Sequence, residues 1–152
     1  MDHDSLVAQI VGFLRDVGFE VVERELVDDT VLPGVTGGGG VLAYDPARLR
    51  YPGDLLHEAG HLALLSDLER ADLDDNFGPD GGFEMGAIAW SYAASVELEL
   101  DPAVVFHSDG YLGDAEWLRD HFTEGGNLGV PMLEWKQLTA PGRFPAMDRW
   151  MA

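Results

Sequence analysis

The sequence predicts an α+β fold, mostly helical, with a short N-terminal sheet packed beside the helix that carries His57-Glu58-Ala59-Gly60-His61. Apolar residues recur at helical spacing near the N-terminus, two short stretches read as strands, and two long apolar segments lie between helix start and stop residues. The length of 152 residues suits a single domain, 1–152, with a core of its own.

Each element has a local reason. Leu6, Val7, Ile10, Val11, Phe13, Leu14 and Val17 make an amphipathic helix over 4–17, which Gly18 ends. Glu20 to Val27 alternates as a strand, with Val22 and Leu26 in phase. Val31 to Gly40 is rich in Pro and Gly and reads as a loop over a cleft. Its glycines at 37–40 do not make a phosphate loop, because no Gly-Lys-Ser/Thr follows. Val41-Leu42-Ala43-Tyr44 is a second strand, closed by Asp45-Pro46. A helix follows over 52–66, started by Pro52 or Asp54.

Residues 67–82 read as an acidic loop. Asp72, Asp74 and Asn76 imitate an EF-hand, but Phe77 stands where glycine is required and Glu84 falls one residue late, so calcium is not expected. Phe83 to Leu100 forms a long helix whose small residues Gly86, Ala87, Ala89, Ala93 and Ala94 allow close approach of a neighbour, and Asp101-Pro102 ends it. Further helices are expected over 114–124, stopped by Gly125-Gly126, and from Pro131 through Leu138. The tail from Phe144 to Met151 forms a short helix anchored by Met147 and Trp150.

Composition narrows the function. The net charge of -19, from 9 basic and 28 acidic residues, argues against a nucleic-acid or anionic-membrane partner. It permits a basic peptide or protein partner, and it leaves oligomeric state open. No apolar run reaches membrane-spanning length, and Met1-Asp2-His3-Asp4 lacks the basic start of a signal peptide. With cysteine absent, any metal ligands must be His and carboxylate, and a cytoplasmic location is expected.

The motif at 57–61 carries the chemistry. Residues i and i+4 share a helical face, so His57 and His61 can present imidazoles to one ion. Two neutral nitrogens suit zinc. Glu58 lies about 100° around the turn, from where it reaches a water on the ion rather than the ion. It is expected to act as general base on a zinc-bound water, which makes peptide hydrolysis the predicted reaction. The third ligand is expected to be Glu84, which opens the long helix 23 residues after His61. Ala87, Ile88, Ser91, Ala94 and Ser95 of that helix can pack on Ala59, Gly60 and Ala63 and carry Glu84 to the metal. Asp67 and His107 are the rivals. Asp67 has the metzincin position but lacks the glycine needed at Leu64 to turn the chain back.

At these residues the chain, over about 20–100, resembles a minimal gluzincin metallopeptidase with a zincin-like domain. The resemblance implies His57, His61 and Glu84 as zinc ligands and Glu58 as general base. It also implies that Val41–Tyr44 is an edge strand holding an extended peptide beside the metal helix. Two positions depart from the family pattern. Phe83 replaces the usual Asn before the ligand Glu, and Ile88 replaces the carboxylate one turn later that orients a motif histidine. An oxyanion donor is also required, for which His107 and Tyr111 are chosen, with Tyr44 and Tyr92 as alternatives. His3 and His121 read as surface residues. The other reading is a non-catalytic zinc-binding interaction module on the same scaffold.

Overall fold

The computed structural model describes residues 2–26, 32–71 and 81–152. It is an α+β arrangement in which helices α1 (His3–Asp16), α2 (Asp54–Ala63), α3 (Asp67–Ala71), α4 (Gly81–Glu97), α5 (Ala115–Thr123) and α6 (Val130–Trp135) accompany strands β1 (Val21–Glu23), β2 (Val35–Thr36) and β3 (Leu42–Tyr44). No helix among the described residues is long and apolar enough to cross a membrane.

The amphipathic pattern of α1 is realised: Asp2 caps it by accepting from the Ser5 amide at 2.7 Å, and Ile10, Val11 and Leu14 are buried. The sheet order is β1-β3-β2, with β1 parallel and β2 antiparallel to β3. This corrects the expected edge strand. Leu42, Ala43 and Tyr44 are the central strand, with both edges already paired and all three residues buried. A peptide cannot add to that strand, because β2 occupies the position the peptide would take. The segment read as an uninterrupted loop contains β2 and a 3-10 turn at Gly38–Gly40.

Asp45 fixes the end of the sheet, its carboxylate accepting from the amides of Leu26 and Ala47 at 3.0 Å each. The Leu26 bond is the main reason its carboxyl titrates below the usual carboxylate value, against the opposing pull of burial. A depressed folded pKa means the unfolded chain binds the extra proton, so this stabilisation is complete above about pH 4 and disappears as pH falls through the lower folded value. Urea titrations across the acid range should therefore show a pH-dependent component of stability in the wild type that is missing in Asp45→Ala. Equal acid dependence in the two proteins would refute the assignment.

Helices α2 and α4 form the centre of the molecule. Every residue of α2 from Asp54 to Ala63 is buried. Gly60 lets α4 approach: a Cβ at that position would lie 2.8 Å from the Ala87 carbonyl oxygen. The pairing expected between Gly60 and the small-residue face of α4 is thus observed. Because backbone stands in the way, Gly60→Val should cost about 1–3 kcal/mol, read as a lowered urea midpoint. An unchanged midpoint would contradict this packing. The C-terminal end of α2 is closed by Arg70, whose buried guanidinium donates to the Leu62 carbonyl at 3.1 Å.

The tail is not the short helix its sequence suggests; residues 144–151 run as turns and irregular chain. The anchoring expected of Trp150 and Met147 nevertheless holds, since both pack on the core. Trp90, fully buried, meets Trp150 edge to face at 5.5 Å and donates to the Trp150 carbonyl at 3.0 Å, and the Ala152 amide bonds Ala63 at the end of α2 at 2.8 Å. Helix boundaries also shift. α4 begins at Gly81 and ends at Glu97, and α6 stops at Trp135, before Leu138. Part of the predicted acidic loop is helix α3, while Asp72, Asp74, Asn76 and Phe77 lie outside the described residues.

Candidate metal centre

Helix α2 turns His57 and His61 to one side, their rings edge to face with centroids 5.0 Å apart. The Gly60–Ala87 approach brings the first turns of α4 over them. Glu84 then meets both: Oε1 lies 3.1 Å from His57 Nε2 and Oε2 lies 2.9 Å from His61 Nε2. The three residues offer donor atoms that all lie within 4.8 Å of one another, a group able to hold a metal ion. Burial pushes the Glu84 carboxyl up, but hydrogen bonds and charge from the two imidazoles outweigh it and hold the group far below the usual carboxylate range. The donor set, two imidazole nitrogens and a carboxylate oxygen, matches what divalent transition metals take. Of the two sequence rivals, His107 does not join this group among the described residues, and the Asp67 side chain lies outside what the structure describes.

Tyr111 completes the orientation of His57. Its hydroxyl lies 3.0 Å from His57 Nδ1, on the opposite side of the ring from Glu84. With Nε2 turned to a metal, Nδ1–H donates to the Tyr111 oxygen and fixes tautomer and ring angle together. Tyr111 is the polar partner of His57 at that nitrogen. Delivering that hydroxyl requires a left-handed backbone, with φ 61°, at a bulky residue. Burial, with the charges of Asp54 and Glu84, pushes the Tyr111 hydroxyl well above its ordinary pKa, so it stays protonated. Tyr111→Phe removes only this oxygen. Metal affinity in a competition titration should fall about 10–100-fold with the fold intact, and unchanged affinity would remove Tyr111 from the site.

The triad opens onto a cleft of about 910 Å³. Glu58 lines it beside the two histidines. Burial raises the Glu58 carboxyl above its ordinary value, opposed by the charges of His61 and then His57. No protein family, curated protein or solved structure matches this chain.

His107 reaches the same cleft from the segment after α4. Its Nε2 lies 2.9 Å from Asp54 Oδ1, and the Tyr51 ring stacks on it at 3.8 Å. Tyr51 in turn donates its hydroxyl to Asp109, which also lies 3.9 Å from Arg50. Burial pushes the Asp54 carboxyl up, and His107 pulls it back. Among the described residues, Asp54 Oδ2 and His107 Nδ1 are buried without a hydrogen-bond partner. His107 thus pairs with Asp54 rather than joining the triad. The alternatives sit elsewhere: Tyr44 donates to Glu23 at 3.1 Å, and Tyr92 stacks on Phe122 in the core with centroids 4.9 Å apart.

Sequence reasoning missed Asp54, which looked like a helix start only. Its position three residues before His57, one helical turn away, was the available signal. His121, expected at the surface, is half-buried there: it accepts the Leu128 amide at 3.0 Å and stacks with the exposed Trp117.

Proposed function

We propose that this chain is a zinc-dependent peptidase, a minimal gluzincin on a zincin-like scaffold. The observation that carries the reading is the meeting of Glu84 with both motif imidazoles on a cleft that Glu58 also lines. Three protein donors and a free approach are what a catalytic metal site needs, whereas a purely structural zinc is enclosed by four.

Zinc at such a donor set would supply Lewis acidity, able to acidify water and polarise a carbonyl. The protein does the rest. His57, His61 and Glu84 would hold the ion, and Tyr111 sets the His57 ring. Glu58, placed in an apolar-walled cleft, takes a proton from the attacking water and returns it to the departing amine, so the proton count balances over the cycle. His107 lines the cleft with Nε2 on Asp54 and Nδ1 buried, so its service to the oxygen on which negative charge develops requires Nε2 to leave Asp54 when a peptide binds. The net charge of -19 favours basic peptides as substrates and a cytoplasmic setting fits the absence of cysteine.

The test couples composition to turnover. Elemental analysis of zinc-replete protein should find about one zinc per chain. Mass spectrometry of a varied peptide mixture should show cleavage that a chelator abolishes and zinc restores. Absence of bound zinc defeats the proposal. Bound zinc with no cleavage of any peptide defeats the peptidase and leaves the interaction module.

A further inference from the structure

Among the described residues, five large apolar side chains stand exposed, and two of them, Trp117 and Met85, line the cleft. Met85 follows the ligand Glu84 directly and is 40 % exposed; Trp117, on α5, is 55 % exposed. Leu128 and the buried Ile88 line the same cleft. Ile88 lies one helical turn beyond Glu84. Apolar surface left open inside a concave site, next to converging polar groups, is the usual mark of a ligand pocket.

This wall is held in place. The Trp117 ring stacks on His121 with centroids 4.7 Å apart and planes 12° apart. His121 Nε2 accepts the Leu128 amide at 3.0 Å. One imidazole therefore positions both the aromatic and the aliphatic member of the wall. Gly126 makes room for it: any Cβ there would collide with the His121 ring. A Trp fixed before binding loses little entropy when covered, and its area returns a large desolvation gain.

We propose that Trp117, Met85 and Leu128 form a specificity pocket for a bulky apolar side chain, aromatic or long aliphatic, of a peptide held at the His57–His61–Glu84 centre. Its place beside a scissile bond rests on the peptidase reading; its preference for apolar side chains does not. The preferred substrate is then a peptide whose basic residues suit the acidic protein and whose apolar residue anchors it here.

The experiment is a titration of the full chain, nitrogen-15 labelled, with the N-acetyl amides of Phe, Leu, Ala and Ser. The Trp117 indole resonance is assigned by its absence in Trp117→Ala. The Phe and Leu amides should shift that resonance and bind about tenfold or more tightly than the Ala amide. Trp117→Ala should lose the preference, and Gly126→Val, which displaces His121, should weaken it. Equal affinity for all four amides, or an unmoved Trp117 resonance while the Phe amide binds, overturns the pocket. So does a preference that survives in folded Trp117→Ala. The wild-type titration decides the matter even where a variant fails to fold. Apolar preference without zinc or cleavage would keep the pocket and defeat the peptidase; zinc-dependent cleavage indifferent to side chain would do the reverse.

Discussion

Under the proposed peptidase reading, Glu58→Gln protein is expected to keep bound zinc and to lose peptide hydrolysis by about 10²–10⁴-fold, the usual contribution of a general base. Glutamine preserves the volume that Glu58 fills in an almost fully buried helix, so the packing of α2 on α4 is undisturbed. It removes only the capacity to take a proton. Burial, the largest influence on Glu58, lifts its basicity above that of an exposed carboxylate, which is what a base acting near neutral pH requires. Single-turnover cleavage and elemental analysis on one preparation separate the two effects. Full activity with contaminating protease excluded would remove Glu58 from the mechanism, whereas zinc lost with activity would make it structural.

Glu84→Ala should have the larger effect on the metal. It removes the group that joins α4 to both imidazoles, at 3.1 and 2.9 Å. Since losing an outer-sphere partner already costs about 10–100-fold in affinity, losing a ligand should cost more than about 100-fold. The Glu84 side chain is 25 % exposed at the cleft, so truncation opens no sealed cavity in the core. A competition titration against a zinc chelator measures the loss, and circular dichroism checks that helix content persists. Wild-type affinity in the folded variant would place the metal elsewhere or nowhere.

Much of this site was legible because its signals are local. The i, i+4 spacing of His57 and His61 needs only helical geometry. Gly60 and the small residues around Ala87 announced a close helix crossing, which in turn chose Glu84. What escaped depended on contacts across the chain. Tyr111 meets His57 across 54 residues and His107 meets Asp54 across 53, and no periodicity encodes either. The error over β3 has the same origin. A strand is an edge or a centre according to its partners, and β2 is a two-residue strand beside a glycine-rich turn, too short for alternation to register. The tail kept its anchors without its helix, since Trp150 is held by Phe13 and Trp90 rather than by its own backbone pattern.

The complete burial of α2 has a consequence for how a metal comes and goes. A ligand-bearing helix at a surface can fray, and ions then escape through local opening. Here the amides of the turn that carries His57 and His61 are buried in the core and are expected to be among the slowest in hydrogen exchange. An ion held by this triad is then expected to come and go through the mouth of the cleft, at a rate set by access there rather than by breathing of the helix.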